Sequence, residues 1–180
     1  MAVSDAALVL QTLNGDNSAF SLLYDRYAGL VRAICKDSTN DLHRASDLTQ
    51  EVFLRAYAKL GELKDHERFG PWLVSIARNI GREYRRGRFR DRHLLVGLTP
   101  EELYEHQSTQ SHDRLDYLDE AISKLPPDER LALHVYYLQG KDIEQARKIL
   151  GVSRSGFYRL LVKAREKIAE IIEERENQNG

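Results

Sequence analysis

Apolar residues recur at intervals of three and four along most of this chain, and strict alternation is nearly absent, so the pattern predicts helices throughout. Ser4 or Asp5 is the expected N-cap of a first helix carrying Leu8, Val9 and Leu13, and Asn14-Gly15 ends it. A second start at Asn17-Ser18 leads into Phe20, Leu23, Tyr24, Tyr27, Leu30, Val31 and Ile34, one wide apolar face that stops at the polar stretch Lys36–Asn40. A third helix is expected over about Asp41–Leu60. Its stripe is Ala45, Leu48, Val52, Ala56 and Leu60, with Phe53 and Tyr57 on the flank and Gly61 just past the end. A fourth, from Phe69 to about Arg86, tolerates Pro71 in its first turn and should face Trp72, Leu73, Ile76, Ala77 and Ile80 inward. Four such faces bury one another most simply as a bundle.

From Arg88 to about Asp113 the periodicity fades, and Gly97, Thr99-Pro100 and the polar run Glu105–Asp113 read as a linker. A second helical block follows. Leu115, Leu118, Ala121, Ile122 and Leu125 make a short helix that halts before Pro126-Pro127. Asp128 and Glu129 favour a new helix N-terminus, where the backbone dipole welcomes negative charge, and this helix should run to Leu138 with Gly140 just beyond. Then come Asp142–Leu150, the turn Gly151-Val152, and a helix from Ser153 to about Glu174, which is the pattern of a helix-turn-helix. The expected fold is all-α: two small helical domains joined by a flexible linker, the second a helix-turn-helix four-helix domain.

Composition changes this picture only in places. The formal net charge is -1 over 180 residues, so the chain is not a uniformly basic DNA-coating protein. The charge is unevenly spread, with seven arginines against Glu83 and Asp91 between Arg78 and His93. The one cysteine, Cys35, excludes an internal disulfide and a cysteine-rich zinc site, and on an apolar helix face it reads as a small core residue. The histidines are scattered without ligand spacing, so no metal is expected. No apolar run reaches the roughly 20 residues of a membrane span, and the start lacks the layout of a signal peptide, so a soluble, cytoplasmic protein is expected. A P-loop is missing, as is any convergent acid, base or nucleophile set, so neither catalysis nor a cofactor is expected.

What remains is recognition chemistry. Asp47, Gln50 and Glu51 share one helix face, and an acid-and-amide surface of that kind suits a basic coiled coil on a partner. Arg78, Arg82, Arg85, Arg86, Arg88 and Arg90 can each neutralise a phosphate, whereas favourable cations at a helix C-terminus explain only about two of them. In the helix-turn-helix, Phe157, Leu161 and Ala164 should face inward, which leaves Arg154, Ser155, Tyr158, Arg159, Val162 and Lys163 available to DNA. Gly156 costs that helix about 1 kcal/mol relative to Ala and permits close approach of the backbone.

Two sets of residues, far apart in the chain, carry a family resemblance. One is Leu23-Tyr24-x-x-Tyr27, Asp47-x-x-Gln50-Glu51-Val52-Phe53 and Phe69-x-x-Trp72-Leu73-x-x-Ile76-Ala77-Arg78-Asn79. The other is Ala121-Ile122-x-x-Leu125-Pro126, Ile149-Leu150-Gly151-Val152-Ser153 and Ala164-Arg165. In this order and over nearly the whole chain, they resemble the bacterial RNA polymerase sigma factors of the short extracytoplasmic-function (ECF) type. The resemblance implies a region-two domain over residues 1–92, a linker over 93–113 and a region-four domain over 114–180. It implies that Asp47, Gln50 and Glu51 bind the clamp of core RNA polymerase. Lys64, Arg68, Arg78, Asn79, Arg82, Arg85 and Arg86 would then serve the melted minus-ten element, the loop Lys64–Arg68 accepting an extruded base. Arg154, Ser155, Tyr158, Arg159 and Lys163 would read the minus-thirty-five element of promoter DNA, in a domain that also meets the polymerase flap. An anti-sigma factor is the implied regulator. The chain departs from the family at Arg147, where a small residue is usual, and at Tyr158 and Leu160, where Lys and Arg are. The chief alternative is a helix-turn-helix regulator that binds operator DNA by itself, with the N-terminal bundle as sensor or dimerisation module.

Overall fold

The first three helices begin where a short polar side chain can take up free N–H groups. In the computed structural model, which describes residues 3–39, 41–94, 114–138, 140 and 142–179, α1 (Asp5–Leu13) is capped by Ser4. At α2 (Asn17–Thr39) the cap is Asp16, one residue before the expected start; it accepts from the Ser18 N–H at 2.9 Å and the Ser18 hydroxyl at 2.6 Å. Those bonds hold the Asp16 carboxyl below its ordinary value. Asp41 caps α3 (Leu42–Ala58), accepting from the His43 and Arg44 N–H groups. Leu60 is not the last turn of α3, as expected, but is buried in a separate 3₁₀ turn, Leu60–Glu62. A second 3₁₀ turn, His66–Arg68, leads directly into α4 (Phe69–Leu94). The fourth helix thus runs well past Arg86: arginines propagate a helix readily even where no apolar stripe marks it.

α1, α3 and α4 pack around α2, whose Leu23, Tyr27, Leu30, Val31 and Cys35 are almost or fully buried. An edge-on aromatic series, Tyr57 to Phe20 at 4.9 Å and Phe20 to Phe53 at 6.3 Å, seals the α2–α3 seam; Tyr24 lies 4.5 Å from Phe53. α2 and α4 come close together at Gly81, where a methyl group would overlap the Ser38 hydroxyl and come within 2.9 Å of its Cβ. Burial pushes the Cys35 thiol up to about 11, as suits an inert core residue.

The C-terminal block comprises α5 (Arg114–Ser123), α6 (Pro127–Leu133), a single π turn His134–Leu138, α7 (Ile143–Leu150) and α8 (Arg154–Asn179). The helix expected to reach Leu138 therefore changes register at His134. Of the linker expected over 93–113, residues 93 and 94 belong to α4; residues 95–113, and the side chains of Arg88, Arg90 and Leu115, lie outside the described residues. Among those described there is no strand, and no helix is long and apolar enough to cross a membrane.

The two blocks are docked on each other, and one apolar cluster runs from Leu8 through to Ala164. α7 lies against the first turns of α4: a methyl group on Gly70 would sit 3.3 Å from the Ile149 Cα, and one on Gly151 would sit 3.0 Å from Pro71. Gly70, Pro71, Val74 and Arg78 share that side of α4 at helical spacing, which accounts for the burial of Val74, a residue the inward stripe does not include. At the other end of the seam, Arg130 of α6 donates to Asp37 of α2 at 2.9 Å, and Arg78 pairs with Asp128. Closure by the C-terminal block raises the Asp37 carboxyl through desolvation, with Arg130 pulling it back, and burial lowers His134, which hydrogen-bonds the Gly29 backbone.

Candidate polymerase and nucleic-acid surfaces

On α3, Asp47 and Gln50 are exposed and Glu51 is half-buried, all on the expected face. Glu51 is not a free charge. It accepts from Arg55 Nε at 2.7 Å, and Arg55 also donates to Glu83 of α4 at 2.8 Å. This triad stiffens the α3–α4 flank and leaves Asp47 as the more available acid. Leu54, one turn on and 69% exposed, extends the face with an apolar side chain; the sequence reading missed it because an apolar residue off the core stripe carries no local signature.

Between α3 and α4 the chain folds back to form a surface hollow of about 370 Å³, lined by Glu62, Leu63, Lys64, Asp65, Arg68, Pro71 and Trp72. Lys64 and Arg68 are exposed on its rim. Trp72, expected to be core, is only half-buried: its ring leans on Phe69 at 6.0 Å, Phe69 leans on Tyr27 at 5.4 Å, and the remaining surface faces the hollow. Tyr27 is anchored by donating to Asp5 of α1, and burial next to that carboxylate raises its pKa well above the usual phenol value. The recess thus brings together one aromatic side chain, two cations and the carboxylates of Glu62 and Asp65.

Along α4, Asn79, Arg82, Arg85 and Arg86 are exposed, and Arg82 donates to the Asn79 side-chain oxygen. Arg78 is set apart from them, half-buried and engaged by Asp128. Among the described residues the basic stretch is therefore a solvent-facing row, from which Arg85 also reaches the field of Asp37, plus Arg78 paired with Asp128.

The helix-turn-helix forms as its sequence suggests. Asp142 caps α7 through the Gln145 N–H at 2.8 Å, Gly151 takes the left-handed conformation (φ 67°) that ends it, and the Ser153 hydroxyl accepts from the Gly156 N–H at 3.0 Å to open α8. Phe157, Leu161 and Ala164 are buried, and Arg154, Ser155, Tyr158, Arg159, Val162 and Lys163 are exposed as one face. Arg147, in place of the usual small residue, turns outward to Glu144 (Nε–Oε2 2.8 Å), and Ala146 is the fully buried small residue of α7. Tyr137 from the π turn accepts from Arg165, whose guanidinium lies 5.8 Å from the Tyr137 ring centroid. Glu129 is buried at the start of α6, its carboxylate 3.4 Å from Lys167 of α8.

Known proteins resemble both halves. A family model described as Sigma-70 region 2 matches residues 23–90, and one described as Sigma-70, region 4 matches residues 115–168. The chain is 30% identical to the ECF RNA polymerase sigma factor SigM of Bacillus subtilis over 149 residues, covering 81% of this chain and 90% of that one. It is also 30% identical over 159 residues to a probable RNA polymerase sigma factor, RfaY, of Xanthomonas campestris, covering 84% of this chain but only 40% of that longer protein. Two solved structures share the fold: CnrH in complex with the cytosolic domain of CnrY (TM-score 0.61, 20% identity, 94% of this chain and 97% of that one), and the sigma factor RpoE in complex with the anti-sigma factor NepR from Bartonella quintana (TM-score 0.57, 23% identity, 86% and 96%). With a region-two and a region-four match in order, and a relative aligned over nine-tenths of its length, the chain belongs to the ECF family of RNA polymerase sigma factors.

Proposed function

We propose that this protein acts in the cytoplasm as a promoter-specificity subunit with no catalytic step of its own: it binds core RNA polymerase and directs promoter recognition, melting and initiation. The division of labour follows the domains, with region two over residues 1–92, a linker over 93–113 and region four over 114–180. Asp47, Gln50 and Glu51 meet a basic surface of the polymerase clamp. Lys64, Arg68, Arg78, Asn79, Arg82, Arg85 and Arg86 hold the separated minus-ten strand, and Trp72 adds a stacking plane that the sequence reading assigned to the core. Arg154, Ser155, Tyr158, Arg159 and Lys163 read the minus-thirty-five duplex, arginine pairing bidentately with guanine edges and lysine meeting phosphate.

The observation that carries this reading is the ordered pair of region-two and region-four matches on one chain. A free-standing operator-binding regulator has no need of the first. A protein inhibitor is the proposed regulator, by analogy with RpoE, whose solved structure contains the anti-sigma factor NepR.

The test is Asp47→Lys with Glu51→Lys. Like charges brought together at an interface cost several kcal/mol, so affinity for core polymerase should fall at least about tenfold, a change of ~1.4 kcal/mol. The circular dichroism should stay parental and the melting temperature should fall only slightly, since Asp47 is exposed and Glu51 gives up one partly exposed ion pair with Arg55, worth up to about 1 kcal/mol. Unchanged affinity would remove the clamp assignment.

A further inference from the structure

We infer that α1, the helix that precedes the segment matched as region 2, buttresses the hollow, and that its Asp5 is a positioning residue for Trp72, acting through Tyr27 and Phe69. The inference rests on the stacking role proposed above for Trp72.

The region-two match begins at residue 23 and leaves α1 outside it. The helix is nonetheless well anchored, with Leu8 and Val9 almost fully buried. It packs against α2 and against the His66–Arg68 turn, and it also touches the Leu60–Glu62 turn and α4. The last three of these line the hollow: Glu62 ends one turn, Arg68 ends the other, and Pro71 and Trp72 lie in the first turn of α4. One short helix therefore touches each element that frames the recess.

The polar contacts of α1 converge on Asp5. One carboxylate oxygen accepts from the Tyr27 hydroxyl, the other from the Arg26 guanidinium, and Arg26 also donates to the Val3 carbonyl at 2.9 Å. The site is shielded: Tyr27 is 2% exposed and the Asp5 side chain 20%. An ionised acceptor makes a stronger hydrogen bond than a neutral one, and a buried hydroxyl that loses its acceptor keeps the cost of desolvation. Asp5 therefore fixes the far end of the Tyr27 ring. That end meets α4: a methyl group on Gly70 would stand 2.9 Å from the Tyr27 hydroxyl, and the ring meets Phe69 edge-on at 5.4 Å. Phe69 is fully buried, and its ring lies 6.0 Å from that of Trp72. A packed interior transmits displacement, so the contacts from Asp5 through Tyr27 and Phe69 reach Trp72 without a gap. Trp72 itself is half-buried and borders the hollow, so its placement depends on the packing at Phe69.

Three variants of the full chain separate positioning from mere stability. Asp5→Ala removes the acceptor, Tyr27→Phe removes the hydroxyl and keeps the ring, and Asp5→Asn keeps an acceptor without the charge. In the free chain, acrylamide should quench Trp72, the single tryptophan, more steeply in the first two variants than in the parent, with Asp5→Asn falling between parent and Asp5→Ala. In holoenzyme, Asp5→Ala should form open complexes on a duplex promoter about tenfold more slowly. Asp5→Asn should recover most of that rate, and affinity for core polymerase should stay parental throughout. The decisive arm is the combination with Trp72→Ala. If Asp5 acts through Trp72, adding Asp5→Ala to Trp72→Ala slows opening no further, whereas a general loss of stability multiplies the two effects. Multiplied effects, or parental quenching and opening in both Asp5→Ala and Tyr27→Phe, overturn the inference. Parental opening by Trp72→Ala alone would instead remove the stacking role on which the inference rests, and the quenching series would still show whether Asp5 places the ring.

Discussion

Removing three exposed cations from α4 tests whether the basic row touches nucleic acid or merely decorates a helix. Arg82, Arg85 and Arg86 are all exposed; Arg82 donates to Asn79 on the same helix, and Arg85 lies within electrostatic reach of Asp37 on α2. Replacing all three with Ala removes no buried contact and slightly improves helix propensity, so the melting temperature should not fall. The effect on DNA is another matter. Each phosphate neutralised steepens the dependence of log affinity on log salt by about 0.7 for a single strand and about 0.9 for duplex, so three lost contacts should flatten it by about 2.1 to 2.7. Between 50 and 200 mM salt this predicts that the parental holoenzyme loses about 20- to 40-fold more affinity than the variant. Fluorescence detection of open complexes on a promoter fragment, run as a salt series with both holoenzymes, measures the two slopes. Parallel slopes would show that the row makes no phosphate contact, and the minus-ten assignment of these three residues would go with it.

Three smaller perturbations probe the scaffold. Gly81→Ala should gain up to about 1 kcal/mol of helix propensity but force α2 and α4 apart at Ser38, an overpacking cost of typically ~1–3 kcal/mol; a melting temperature above parental would refute the close approach. Phe157→Ala, at a fully buried position, should cost about 3–5 kcal/mol, and hydrogen exchange in α7 and α8 should rise while α2 and α3 stay protected. Cys35 should resist maleimide at pH 8 in the folded chain and react at once in denaturant, since it is fully buried and its thiol is pushed up to about 11; rapid labelling of the native protein would contradict this.

How far the sequence could be read depended on whether the information was local. The α8 face was legible because Phe157, Leu161 and Ala164 fall at helical spacing behind a Ser153 cap, and both signals lie within a dozen residues. Helix starts at Ser4, Asp41 and Asp142 were legible for the same reason. The extension of α4 to Leu94 was not, since the arginine-rich stretch has helix propensity but no apolar stripe to announce it. Trp72 was assigned to the core from its place in the apolar pattern, yet it sits at the stripe's edge, where the bend of the 60–68 turns leaves part of its ring uncovered. The domain seam carried no sequence signal at all. Its ion pairs join residues 93 and 50 positions apart, and Gly70 and Gly151 read as loop punctuation when their more telling role is to let two helices touch.

The account stands or falls on dependence upon polymerase. The purified chain should be incubated with a cognate promoter fragment bearing a fluorescent probe in the minus-ten element, with and without core enzyme. It should open the duplex only when core is present and leave the fragment essentially unbound alone. Tight, sequence-specific binding by the isolated chain, with no melting when core is added, would contradict that account and favour an operator-binding regulator instead.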